Sequence, residues 1–134
     1  MSPRRAAVAL ALVMATVACS KDKEVGRDLN ALDAFGKDVV ARVESASDPA
    51  AGLDAALLFV EQNREDMTAR WRRVWTNASK VGKEMNERIQ SSALGSVTSL
   101  NALRFRLLRH TRDNPQSEAK LDRLIDAYTK IVSE

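Results

Sequence analysis

Three groups of side chains in this sequence are equipped for chemistry. Cys19 is the only cysteine, so no disulfide can form within one chain. It stands where an apolar run meets a charged one, and its sulfur is a nucleophile that acylation would consume. The second group is Arg70, Arg72, Arg73, Lys80 and Lys83, and the third is Arg104, Arg106, Arg109 and Arg112. From Arg70 to Arg112 there are ten basic residues and only two acids, Glu84 and Glu87. The first basic cluster could meet anionic headgroups or lipid phosphates, each cation adding about 1 kcal/mol near an anionic surface. Trp71 and Trp75 would then serve as interfacial rings. The plainer reading puts Trp71 in the core and the arginines on a solvated face. The second cluster could receive an acidic partner. Its plainer reading is that cations near a helix C-terminus favour the macrodipole, by about 0.3–1 kcal/mol each.

Catalysis has little to build on. The sequence holds no convincing Ser/His/Asp or Cys/His set, no Gly-rich phosphate loop and no His-Glu metal spacing. Asp122 and Asp126 are neighbours four residues apart on a helix exterior. No enzyme activity, metal or cofactor is expected. His110 is the only histidine. Four-helix bundles can hold haem through His and Met, and Met67 and Met85 are present, but they fall at the opposite level from His110. No Cys-x-x-Cys-His motif occurs.

The elements that position these groups begin with the leader. Arg4 and Arg5 precede an apolar stretch, Ala6 to Ala18, broken only by Thr16 and ending in small residues. That order of charge, apolar core and small-residue cleavage site is the pattern of a secretory signal peptide. A spanning helix needs about 20 apolar residues; this run is shorter, and Lys21-Asp22-Lys23-Glu24 follows at once. Val17-Ala18-Cys19 resembles the lipobox of bacterial lipoproteins, although that family usually carries Leu where this chain has Thr16. The resemblance implies diacylglycerol transfer to the Cys19 sulfur, cleavage before Cys19 and acylation of the new amino terminus. Several acyl chains anchor stably where one does not. Ser20, in place of Asp, resembles the outer-membrane case. The expected organisation is therefore a signal peptide over 1–18, a lipidated cysteine and short tether over 19–24, and a helical domain over 25–134. The chain would be held at the outer membrane, facing the periplasm or the cell surface.

The domain is one-core size. The chain is 45% hydrophobic, 4% aromatic and 29% charged, with few Gly or Pro, a balance that favours helices over sheet. Removing Arg4 and Arg5 leaves 19 basic and 18 acidic side chains, net +1, so nucleic-acid binding gains no support from charge.

Apolar spacing of three and four predicts four helices. The first runs from about Lys23 to Ala46 on Leu29, Leu32, Val39 and Val43, with Asp28, Asp33, Lys37 and Glu44 on its other side. Asp48-Pro49 then supplies an N-cap and a first-turn proline. The second helix carries Leu53, Leu57, Val60, Met67, Trp71 and Val74, with Leu58 and Phe59 widening the stripe. It turns near Asn77–Ser79, with Gly82 as the alternative. The third spans about Lys80 to Thr111, with Gly95 as a kink or a close-packing point. The fourth follows Asn114-Pro115 and runs to Val132 with the cleanest apolar face. The segment Leu121-Asp122-Arg123-Leu124-Ile125-Asp126-Ala127-Tyr128 resembles the closing stretch of small helical lipoproteins of myxobacteria, a likeness that implies no activity.

The expectation is an all-α, up-down-up-down antiparallel four-helix bundle after a cleaved signal peptide. Its partners would be the membrane, through the anchor, and an envelope protein or anionic envelope component. It would act as a structural or binding module; the alternative is a ligand- or haem-carrying bundle.

Overall fold

The computed structural model describes residues 21–134 in full and residues 3–20 only as the helical course of the backbone. The Cys19 side chain and those of the leader over 1–18 lie outside what is described, and with them the expected lipidation and cleavage site. Five α-helices follow in order: α1 (Pro3–Ser45), α2 (Pro49–Asn77), α3 (Lys83–Arg106), α4 (Leu108–Thr111) and α5 (Pro115–Ser133), with a single 3₁₀ turn (Ala78–Lys80) between α2 and α3. No strand occurs among the described residues. The protein is all-α.

The helix boundaries follow local chemistry. The Asp48 carboxylate accepts from the Ala50 and Ala51 N–H groups at 3.2 and 3.3 Å, and Pro49, which has no N–H to lose, starts α2. Asn114 repeats the device before Pro115, its side chain accepting from the Ser117 N–H at 3.2 Å. Both caps satisfy donors that a helix start leaves open. α2 ends at Asn77, inside the predicted window. Its amide donates back to the Arg73 carbonyl at 2.8 Å, and Asn86 closes the turn by donating to the Ala78 carbonyl at 2.9 Å.

Two boundaries differ from expectation. The proposed tether is helical from Lys21, and the Asp22 carboxylate accepts from the Gly82 N–H at 3.0 Å. Asp22 thus caps α3 from another helix, because Gly82 has no side chain to do so. The long third helix is also broken. α3 stops at Arg106, Leu107 takes φ −95°, ψ 5°, and α4 adds one short turn. The Thr111 hydroxyl donates to the Leu107 carbonyl at 3.1 Å, a back-bond that competes with regular helix geometry.

The helices close on one core. Val25, Leu29, Leu32, Val39 and Val43 of α1 meet Leu53, Val60, Trp71 and Val74 of α2, Ile89, Leu100 and Leu103 of α3, and Leu121, Leu124, Tyr128 and Ile131 of α5. Each such aliphatic side chain contributes about 1.5–3 kcal/mol relative to exposure. Phe35 stacks on Tyr128 with ring centroids 5.6 Å apart, and Phe59 tilts against Phe35 at 5.4 Å. Packing is most extensive between α1 and α2 and between α2 and α5; α3 rests more lightly on α1 and α5. Gly52 explains the tightness of the first seam. A Cβ there would stand 2.7 Å from the Val43 carbonyl oxygen and 3.0 Å from Ala46 Cβ.

Two sets of polar contacts mark the ends. One gathers α1, α2, α3 and α5 through Asp22–Gly82, Asp28–Arg73 and the Trp75 indole N–H donating to the Val132 carbonyl at 2.8 Å. The other joins Glu44 to Arg106, Asp122 to Arg104 and Asp54 to Lys120.

Candidate functional site

The fold takes up two of the five residues of the first basic cluster, Arg70 and Arg73. Asp28, expected on the outer side of the first helix, is buried. Its carboxylate accepts from Arg73 Nε at 3.0 Å, Arg73 Nη2 at 2.8 Å and Arg70 Nη1 at 3.0 Å. Arg70 also reaches Asp66 at 3.1 Å. Burial by itself would raise the Asp28 pKa, but the two guanidiniums outweigh it and hold the carboxyl below its ordinary value. Arg70 and Arg73 therefore bind α2 to α1. Lys83 is highly exposed and lies 3.9 Å from Glu87. Arg72 and Lys80 are exposed and have no ion-pair partner among the described residues.

The tryptophans are not interfacial rings. Trp71 is buried in the core, and Trp75 is half-buried, stacked on it at 5.5 Å with its N–H committed to Val132. Burying the indoles satisfies the apolar seam between α2 and α5, which leaves neither ring to meet lipid.

The second cluster divides. Arg104 pairs with Asp122 of α5, and Arg106 pairs with Glu44 of α1. Arg109 and Arg112 are exposed and have no ion-pair partner among the described residues. Beside them stand two of the four large apolar side chains that are exposed among the described residues. Phe105 is 82% exposed and Leu108 is 58% exposed. The chain has six aromatic residues, three Phe, two Trp and one Tyr. The other five lie in the core or pack against it, so Phe105 is the one the fold leaves out. Leu107 continues the stripe of Leu100 and Leu103 and packs against the core, while its neighbours Phe105 and Leu108 face out. Leu94 of α3 is also exposed, at 72%. Eleven residues are close to three helical turns, so Leu94 and Phe105 share a face.

His110 is half-buried and its Nε2 lies 2.8 Å from the Ser117 hydroxyl, fastening α4 to α5. Met67 is buried in the core, and Met85 packs at the other end, where its Cε is 3.5 Å from the position of a Cβ on Gly26. Among the described residues, the partner of His110 is Ser117, and Met85 lies against Gly26. Among the described residues no group of three or more His, Cys, Asp or Glu is placed to hold a metal ion, and no helix is long and apolar enough to cross a membrane.

Sequence reasoning missed Asp28, Glu44 and Asp122 as the partners that absorb the arginines. It also placed Leu58, which is 59% exposed, on the buried stripe. Phe105 carried a usable signal: it lies off the stripe of Leu100, Leu103 and Leu107, flanked by arginines. No protein-family model, curated protein or solved structure matches this chain.

Proposed function

We propose that this protein is a lipid-anchored envelope module that docks an acidic protein surface through its α3–α4–α5 end. One observation carries the reading: Phe105 and Leu108 are exposed beside Arg109 and Arg112, which pair with no carboxylate among the described residues. An aromatic knob within a cationic rim is the composition of an interface centre. The rim steers an acidic partner, and the ring supplies the desolvated anchor.

The anchor at Cys19, with export and outer-membrane attachment, belongs to the same proposal. So does an up-down-up-down course for α1, α2, α3 and α5, which the two sets of end contacts support. In that arrangement Cys19 lies on α1 two residues before Lys21, near the end marked by Asp22 and Gly82, and the docking end lies near the close of α1. Residues 21 to 45 of α1 span about 36 Å at 1.5 Å per residue. The cationic rim then faces away from the bilayer that holds the anchor, which favours a protein over that bilayer's headgroups as its ligand. No reaction is assigned.

Affinity capture from envelope extract with the membrane-embedded full-length protein tests the reading. Phe105→Ala, or the pair Arg109→Glu and Arg112→Glu, is expected to weaken a captured partner at least about tenfold, while Arg72→Glu leaves it unchanged. Retention by all variants alike would refute the docking end.

A further inference from the structure

Almost no chain separates the proposed anchor from the folded bundle. Only Ser20 lies between Cys19 and Lys21, and Val25 and Leu29 of α1 are already buried in the core. The Asp22 carboxylate accepts from the Gly82 N–H at 3.0 Å. Asp22 follows Cys19 by three residues, about 4.5 Å along a helix. The turn between α2 and α3 is therefore fastened to α1 within one helical turn of the residue that would carry the acyl chains.

That turn is held from within. Val81 packs against the core, and the Asn86 amide donates across the turn to the Ala78 carbonyl at 2.9 Å. Its two lysines stay outside. Lys80 is exposed and has no ion-pair partner among the described residues. The Lys83 side chain is 90% exposed and stands 3.9 Å from Glu87.

The acids at this end are mostly occupied elsewhere. Glu24 pairs with Lys21 at 3.0 Å, Asp22 holds Gly82, and Glu134 stands beside Arg72. Glu84, exposed in the first turn of α3, is the acid that shares the turn with the lysines. The end is thus no broad cationic patch. It offers two outward ammonium groups on a fixed turn.

Position selects what they meet. Charges interact across about 10 Å at physiological salt, and a bilayer that holds acyl chains on Cys19 lies that close to a turn bonded to Asp22. Each phospholipid of such a leaflet carries a phosphate, and a lysine brings its compact charge to it on a flexible stem.

We propose that the Lys80–Lys83 turn rests on phospholipid phosphates of the leaflet that holds the anchor. This footing rests on the anchor at Cys19 proposed above and adds a second point of support to it. Support on α1 and on the α2–α3 turn together limits tilt and keeps the Phe105 end pointed away from the bilayer.

The test uses the full-length acylated protein in three settings: vesicles of phosphatidylethanolamine and phosphatidylglycerol, phosphate-free galactolipid vesicles, and maltoside micelles. Lysines are acetylated with a membrane-impermeant reagent, and each rate is read by mass spectrometry relative to Lys37. Lys80 and Lys83 should react roughly fivefold more slowly on the phospholipid vesicles than in the other two settings, while Lys120 reacts alike in all three. Protein that carries labelled palmitate yet shows equal Lys80 and Lys83 rates in phospholipid vesicles and micelles would overturn the contact and leave the anchor standing. Equal slowing on galactolipid would overturn phosphate as the ligand. Slowing in native membranes but not on phospholipid vesicles would assign the turn to a protein instead. Absence of palmitate uptake would sink the anchor and this footing with it.

Discussion

Asp28 shows how one residue can change the meaning of several others. Two arginines that would otherwise mark an anionic surface are turned inward by a single buried carboxylate. Its pKa lies below the ordinary aspartate value in the folded protein. The stabilisation is therefore complete above the unfolded-state pKa, near 4, and is lost as the pH falls through the depressed folded value. Urea unfolding from pH 7 down to about pH 2 should show this acid limb. Asp28→Asn should lower stability at neutral pH by about 1.5–3 kcal/mol, the scale of hydrogen bonds to a charged group. It should also flatten the limb. A variant with the same acid dependence as the parent would remove Asp28 as its source. Capping at Asp48 gives a second residue-scale test. Asp48→Ala loses both N–H contacts at the start of α2, and a loss of about 1 kcal/mol in denaturant titration is expected.

At the scale of elements, three glycines report how closely helices approach. Gly52 lets α2 ride on the backbone of α1, and Gly36 leaves room for the Tyr128 hydroxyl. Gly95 does neither: α3 is continuous through it and open space lies beyond, so the expected kink or close-packing role is not what the residue does. The same change at the three sites should therefore differ in sign. Gly95→Ala should stabilise by up to about 1 kcal/mol, because alanine is the better helix former. Gly52→Ala should destabilise by about 1–3 kcal/mol, since the neighbouring groups are backbone carbonyls that cannot step aside. Gly36→Ala should also destabilise, because Tyr128 is held by its stack with Phe35. Thermal melts of the three variants measure the set. A uniform effect would contradict the seams described.

For the whole molecule, the two arginine pairs at one end should separate in function. Arg104 and Arg106 tie α3 to α5 and α1 across partly exposed bridges, and such bridges contribute only about 0–1 kcal/mol each. Arg109 and Arg112 should contribute nothing measurable to folding and most of the electrostatic steering. Reversing each pair in turn, with stability and capture measured side by side, should therefore give a stability change for the first pair and a binding change for the second. Cys19→Ala should leave an unprocessed or soluble species that takes up no labelled palmitate. Equal labelling of that variant would refute the anchor.

Much of this architecture was legible before any coordinates, for a local reason. Helix-period stripes such as Leu121, Leu124, Ile125, Tyr128, Ile131 and Val132, and caps such as Asp48 and Asn114, depend on residues three or four apart, and those relations are written in the chain itself. The all-α class, the turn near Asn77 and most of the core follow from them. What the tertiary structure decided was the fate of groups whose partners are remote. Asp28 meets residues 42 and 45 positions away, and Arg106 meets one 62 positions away. Those meetings depend on the rotation of one helix against another, which no local period encodes. The same rotations bury Asp28 against Arg70 and Arg73 and leave Arg109 and Arg112 without a carboxylate partner among the described residues. The sequence determined which faces would be buried and which ring would lie off them; only the assembled helices determined which charges were left over to bind something else.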